Sequence, residues 1–167
     1  IVRMHGDIYA REHGFDRSFE EYVAGPLTRC IASPSSRERI WIAERDGRFA
    51  GCVAIVAADA EDAAASTRLG DSPLEDGDSP LTIAQLRWFL VAPESRGSGL
   101  GRALLEETVR FSGDAGYRSI LLWTVSSLTS AARLYRAVGF RRVEEKPGHH
   151  WGVDVIEERY DLALDEG

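Results

Sequence analysis

Leu86-Arg87-Trp88-Phe89-Leu90-Val91-Ala92-Pro93-Glu94-Ser95-Arg96-Gly97-Ser98-Gly99-Leu100-Gly101-Arg102-Ala103-Leu104-Leu105 is the stretch on which the reading of this chain turns. An apolar run stops at Pro93, a loop follows with glycine at 97, 99 and 101, and an amphipathic run begins. The order reads as strand, turn and helix. Glycines let backbone N–H groups approach a ligand closely, and the first N–H groups of a helix lack intrahelical partners. Partial positive charge collects at the same end, so the stretch suits an anion. Arg96 and Arg102 bracket the first turn, and the helix holds no acid before Glu106. A cation in that position costs roughly 0.3–1 kcal/mol, and a bound polyanion reverses the sign. The plainer alternative is a glycine-rich turn with two solvated arginines.

The failed motifs narrow the anion. No Gly-Lys-Ser/Thr follows the glycines, so the loop does not read as a nucleoside-triphosphate cradle. The spacing does not fit Gly-x-Gly-x-x-Gly and no early βαβ unit precedes it, which argues against a dinucleotide fold.

Outward from this unit, Ile83–Ala92 reads as the central strand and Gly99–Ser112 as a helix, with Leu100, Ala103, Leu104, Thr108 and Phe111 inward. Ser119–Val125 is a nearly continuous apolar strand, as expected when both faces are covered. A strand–helix–strand unit of this kind implies a right-handed crossover and parallel pairing. Ser127–Val138 reads as a second helix stopped by Gly139, and Arg142–Glu145 and Val153–Leu164 as two terminal strands. Upstream, Arg39–Glu44 and Phe49–Ala58 form a hairpin about Asp46-Gly47. A helix from Asp16 carries Phe19, Tyr22, Val23, Leu27, Cys30 and Ile31 at three-and-four spacing. Pro26 is expected to kink or split it. The first nine residues signal neither helix nor strand strongly.

The chain has 167 residues, enough for one domain with a sizeable core. Residues 59–81 change character: they are rich in Ala, Asp, Gly and Pro and read as a flexible acidic insertion in that single domain, 1–167. Seven acids there face Arg68 alone, which accounts for most of the net charge of −7. The rest is close to neutral, so a basic face for nucleic acid is not supported. No run is long enough for a membrane span. Cys30 and Cys52 have neither metal-site nor redox-pair spacing and read as core thiols, which fits a cytoplasmic location.

Arg96-Gly97-Ser98-Gly99-Leu100-Gly101 resembles the Arg/Gln-x-x-Gly-x-Gly/Ala signature of the GNAT N-acetyltransferases. Leu90-Val91-Ala92-Pro93-Glu94 resembles the strand end before it, and Ala131-Ala132-Arg133-Leu134-Tyr135-Arg136-Ala137-Val138-Gly139-Phe140 the family's Ala-x-x-Leu-Tyr-x-x-x-Gly-Phe segment. The resemblance implies an α/β fold: a GNAT-like mixed, mostly antiparallel twisted sheet, splayed at the cofactor site, with helices on both faces. It implies acetyl-CoA as co-substrate. The pyrophosphate would sit on the N–H groups of Gly97, Ser98, Gly99, Leu100, Gly101 and Arg102, beside Arg96. The pantetheine arm would pair with Phe89, Leu90 and Val91 like an added strand. The splay would fall between the 83–92 and 119–125 strands.

The same resemblance gives Tyr135 the task of protonating the departing thiolate. From spacing alone it is a core tyrosine on the stripe Leu128, Ala131, Tyr135, Val138. A phenol near pKa ~10 keeps its proton at neutral pH and can give it to a developing thiolate. The sequence departs from the family at Gln85, where some relatives carry a glutamate base, and at Leu128, where many carry asparagine. Glu44, His149, His150 and Asp154 are the candidate substitutes for the base. The two histidines lack a third ligand at ligand-like spacing, so no metal is expected.

The expected activity is transfer of an acetyl group to a primary amine, small-molecule or protein, by direct attack. A backbone N–H near Val91 would polarise the thioester carbonyl. A non-catalytic acyl-CoA-sensing domain is the alternative. Some relatives follow a MarR-type winged-helix domain, so a fused DNA-binding domain before Ile1 stays open, as does a homodimer.

Overall fold

A computed structural model describes residues 1–63 and 82–164. Two helices, α1 (Val2–His13) and α2 (Ser18–Ala32), precede the hairpin β1 (Arg39–Arg45) and β2 (Arg48–Ala57). Next come β3 (Ile83–Val91), a 3₁₀ turn (Pro93–Ser95), α3 (Leu100–Asp114), β4 (Ser119–Val125), α4 (Thr129–Val138), β5 (Arg141–His150) and β6 (Val153–Ala163). The six strands form one sheet in the order β1-β2-β3-β4-β6-β5. Among the described residues only β3 and β4 run parallel; every other pair is antiparallel. The mixed, mostly antiparallel sheet with helices on both faces is the fold expected from the sequence.

The helices cover the sheet because their apolar stripes demand it. On one face Val53, Ile55, Leu86, Leu104, Leu105, Phe111 and Ile120 join the α3–α4 side into the main core. On the other, Phe15, Phe19, Val23 and Leu27 pack on Ala54, Val56, Trp88 and Val125. Burying one such side chain is worth roughly 1.5–3 kcal/mol. Leu105 rather than Ala103 faces inward on α3; Ala103 is exposed.

Pro26 lies inside α2 and does not split it. Phe19 and Val23 on one side of the proline and Leu27 on the other are all buried in the same cluster. Tertiary packing therefore holds both halves in one helix despite the missing N–H. The first residues resolve as helix, not strand. The last hairpin is longer than its sequence suggested, turning at Trp151-Gly152 with φ of 54° and 77°. Most of the acidic stretch 59–81 lies outside the described residues, and 60–63 are helical. No described helix is long and apolar enough to cross a membrane.

Two irregularities in β3 shape the space around it. Its parallel pairing with β4 covers only Ile83↔Ser119, Ala84↔Ile120 and Gln85↔Leu121, and the strands part beyond Gln85. The splay falls between the strands where it was expected. The second is a bulge against β2: Ala54 pairs Arg87 and Cys52 pairs Leu90, so Trp88 and Phe89 share the space opposite Val53. Trp88 takes φ of 52°, and the Cys52 thiol donates to its carbonyl at 3.1 Å. A bulge re-aims side chains locally. Here Trp88 joins the α2-side cluster while Phe89 packs towards the α4 side.

Candidate active site

The glycine loop is set by backbone geometry. Gly97 and Gly99 have φ of 74° and 84°, and a Cβ at either would meet open space. Their need for glycine is thus conformational. Gly101 is different: a Cβ there would lie 3.0 Å from Leu134 Cδ1 and 3.3 Å from Val91 Cγ2. Its glycine lets α3 close against β3 and α4. The first backbone bond into α3 is Ala103 N–H to the Gly99 carbonyl, at 3.0 Å. The amides before it at this helix end are the orphan donors an anion needs.

Both flanking arginines are engaged by carboxylates. Arg102 Nε donates to Glu106 at 2.7 Å, one turn along α3. Arg96 Nη2 donates to Glu12 of α1 at 3.0 Å, and its Nε to the Val91 carbonyl at 3.3 Å. That carbonyl belongs to the edge of β3 freed by the splay. A groove runs from there along Leu90 and Phe89 to α4, walled by Ile8, Tyr9, Leu134 and Tyr135.

Tyr135 is placed by the end of its helix. Gly139 follows α4 with φ of 111°, its N–H reaches the Arg136 carbonyl at 3.1 Å, and Phe140 N–H reaches the Tyr135 carbonyl at 3.0 Å. This doubled cap fixes the backbone of the tyrosine itself. The ring lies 5.7 Å from Phe89 and 5.8 Å from Tyr160, centroid to centroid. Tyr135 is only 5% exposed. Burial, with smaller contributions from the phenols of Tyr9 and Tyr160, pushes its phenol well above the ordinary range.

A second cavity opens on the other side of the tyrosine. Its walls are aromatic: Phe15 and Phe19 from the α1–α2 corner, Trp88, Trp123, and Trp151 from the last hairpin. Trp151 stands 4.9 Å from Phe15, 5.1 Å from Phe19 and 5.2 Å from Tyr22. Tyr9, Phe89, Leu128 and Tyr135 line both this cavity and the groove. His5 lines the cavity too; its Nδ1 bonds the Ile1 carbonyl at 3.1 Å, and burial brings its pKa down to about 4. Since a carbonyl only accepts, Nδ1 carries the proton and Nε2 is an acceptor.

The expected site residues divide. Phe89, Leu90, Val91, Arg96 and Tyr135 come together on one groove, and residues 97–102 form the loop at its end. Leu128, where relatives carry asparagine, starts α4 and forms part of both cavities. The candidate bases do not assemble. Glu44 sits on the edge strand β1, remote from the splay in strand order. His149 pairs with Asp154 at 2.7 Å, both exposed. His150 does not line the cavity itself; it touches two of its walls, Glu157 at 3.3 Å and the Trp151 ring at 5.5 Å. Glu157 lines the cavity itself and had no signal in the sequence beyond its place on the last strand. Gln85 donates to Asp62 at 3.3 Å, and Trp123 Nε1 donates to the other oxygen of Asp62 at 2.9 Å. No cluster of three or more metal-binding side chains occurs among the described residues.

A splayed sheet, a glycine-rich helix start beside the gap and a phenol over it together define the class of acyltransferases that use a nucleotide-borne thioester. Residues 36–142 match the family described as the acetyltransferase (GNAT) domain, and this chain belongs to that family. It is similar to a probable N-acetyltransferase family 8 member 5 of Mus musculus, 30% identical over 131 residues, covering 74% of this chain and 50% of that one. It is also similar to a mycothiol acetyltransferase of Pseudarthrobacter chlorophenolicus, 39% identical over 66 residues, covering 40% of this chain and 18% of that one. The chain thus spans half or less of the length of these relatives. Among solved structures, yncA of Salmonella typhimurium, determined with its cofactor acetyl-CoA, superposes with a TM-score of 0.66 at 18% identity, over 99% of this chain and 88% of that one. A ribosomal-protein-alanine N-acetyltransferase of Brucella melitensis gives 0.68 at 17% identity, over 98% and 91%.

Proposed function

We propose that this chain transfers an acetyl group from acetyl-CoA to a primary amine by direct attack, with Tyr135 as the acid. The observation that carries the reading is that Tyr135 forms a wall of both the groove and the aromatic cavity. A donor in one and an acceptor in the other would meet at its hydroxyl. Acetyl-CoA supplies an activated acetyl thioester when bound.

The residues fit that co-substrate. The orphan amides at 97–102, opened by the positive φ of Gly97 and Gly99, suit a pyrophosphate. The edge of Phe89–Val91 that β4 leaves open suits an extended amide-bearing arm. A backbone N–H near Val91 polarises the thioester carbonyl, and Leu86, Arg87, Trp88 and Phe89 line the cavity from which the acceptor amine approaches. As the new C–N bond forms and the C–S bond breaks, Tyr135 gives its proton to the sulfur, and the proton that the attacking nitrogen sheds restores the phenol. The phenol stays protonated across the neutral range because burial disfavours phenolate. The same burial makes phenolate and bare thiolate alike costly, so neither charge persists when the nitrogen's proton returns to Tyr135 as its own reaches the sulfur.

Initial-velocity kinetics test the direct attack. Varying acetyl-CoA at several fixed amine concentrations gives intersecting reciprocal lines when both substrates must be bound together. Parallel lines, with an acetylated protein trapped by mass spectrometry in the absence of amine, would overturn direct attack.

A further inference from the structure

The mouth of the aromatic cavity carries charges of both signs that acetyl transfer itself does not use. Arg87, on β3, lies over the rings of Tyr22 and Trp88, 5.7 Å and 5.4 Å from their centroids. Its guanidinium makes no ion pair among the described residues. Glu157, on β6, is held loosely by His150 at 3.3 Å and by Lys146 at 4.0 Å. A carboxylate has about four acceptor positions, so room for another donor remains. Lys146 in turn lies 4.3 Å over the Trp123 ring. Arg87, Glu157 and Tyr22 line this one cavity, and Asp62 stands behind it, accepting from Gln85 and Trp123 of its wall.

This balance discriminates between acceptors. A purely cationic amine would meet Arg87 and Lys146 as well as the carboxylates and gain little. A molecule with one charge of each sign finds a partner for both. Between the charges and the floor of the cavity, Phe15, Phe19, Trp88 and Trp151 offer ring faces and edges to a flat apolar body.

We propose that the acceptor is a free aromatic α-amino acid: Arg87 receives its carboxylate, Glu157 faces its amine, and the aromatic walls hold its ring. The inference rests on the acetyl-transfer reading for its chemistry, but not for its binding site. Glu157 takes the proton that the ammonium must shed before its nitrogen attacks. A peptide N-terminus lacks the adjacent carboxylate, so Arg87 would face an amide instead of a charge.

Two measurements on the same protein separate the pocket from the reaction. Release of free CoA thiol is followed with L-phenylalanine, L-phenylalaninamide, 2-phenylethylamine and L-alanine. Binding of L-phenylalanine is followed by tryptophan fluorescence, since Trp88, Trp123 and Trp151 line the cavity. The expected kcat/KM for L-phenylalanine exceeds that of each other amine at least tenfold. Arg87→Gln removes the advantage over 2-phenylethylamine and raises the Kd for L-phenylalanine at least tenfold, while circular dichroism stays that of the parent. Equal turnover of the amide or of 2-phenylethylamine overturns the role of Arg87, and equal turnover of L-alanine overturns that of the aromatic walls. If L-phenylalanine binds saturably but no amine releases thiol, the acetyl-transfer reading fails and the pocket stands. If other amines react while L-phenylalanine neither binds nor reacts, the pocket assignment fails alone.

Discussion

The groove along β3 and the aromatic cavity beside it are made of different materials. What the groove offers a donor is backbone: orphan amides at a helix start, a strand edge released by the splay, and three glycines in five positions. The cavity is side chains drawn from α1, α2, β3, β4, α4 and the β5–β6 hairpin. Backbone recognition depends on shape, so one short segment can specify it. Side-chain recognition depends on what six elements happen to bring, and each can vary while the fold stands. The family can thus keep one donor and exchange its acceptors.

The sharpest break between the two halves is at their shared wall. Tyr135→Phe removes one hydroxyl and leaves the packing against Phe89, Phe140 and Tyr160 in place. A positioned general acid contributes roughly 10²–10⁴-fold, so kcat is expected to fall by that order. The Kd for acetyl-CoA, measured by calorimetry, should change less than about threefold. In the parent, raised proton affinity of the phenol means that kcat shows no alkaline fall before the ordinary phenol range is passed. A rate unchanged in the variant would remove Tyr135 from the chemistry.

His5 tests the cavity side through stability. Its folded value of about 4 lies below the ordinary 6.5. Above pH 6.5 both folded and unfolded chains hold it neutral. Between 6.5 and about 4 the unfolded chain takes up the proton and the folded one does not, so stability falls as pH falls. The full loss is on the order of 3 kcal/mol. His5→Gln should flatten that part of the curve of urea midpoint against pH. Parallel curves for parent and variant would refute the assignment.

Gly99→Val probes the backbone side. A β-branched residue forced to φ of 84° is strained, at a cost of roughly 1–3 kcal/mol. The loop is expected to relax away from its geometry, with acetyl-CoA binding weakened by about 10- to 100-fold. Turnover at saturating acetyl-CoA should suffer much less. The smallest effect is expected at Glu12, whose carboxylate holds Arg96 at 3.0 Å within the groove. Exposed pairs of this kind are worth about 0–1 kcal/mol. Glu12→Gln frees the guanidinium and removes a negative charge, so acetyl-CoA should bind up to about fivefold tighter at low salt.

The same contrast explains what was legible in the sequence. Local rules wrote the strand–loop–helix unit, the hairpin at Asp46-Gly47 and the Gly139-Phe140 helix end, and all of them stand in the structure. The splay, too, came from the resemblance. The bulge at Trp88 was not legible, because it arises from register against β2 and leaves no composition signal. Pro26 misled because a local rule met a stronger tertiary demand, the burial of Phe19, Val23 and Leu27 on one face. The residues that read as candidate bases are Glu44, His149, His150 and Asp154, whereas the carboxylate lining the cavity is Glu157, three β6 residues past Asp154. Strand alternation alone does not say which face of β6 meets α2.

The central claim is that the groove donates and the cavity accepts, with transfer at Tyr135. The most direct measurement is the rate of free thiol release from saturating acetyl-CoA as an amine is added. Release is expected to be negligible without amine, and to rise and saturate with amine in step with formation of the N-acetyl product. Tight acetyl-CoA binding with no amine-dependent release across a broad panel would contradict the claim, and would make the chain a sensor of acyl-CoA rather than a transferase.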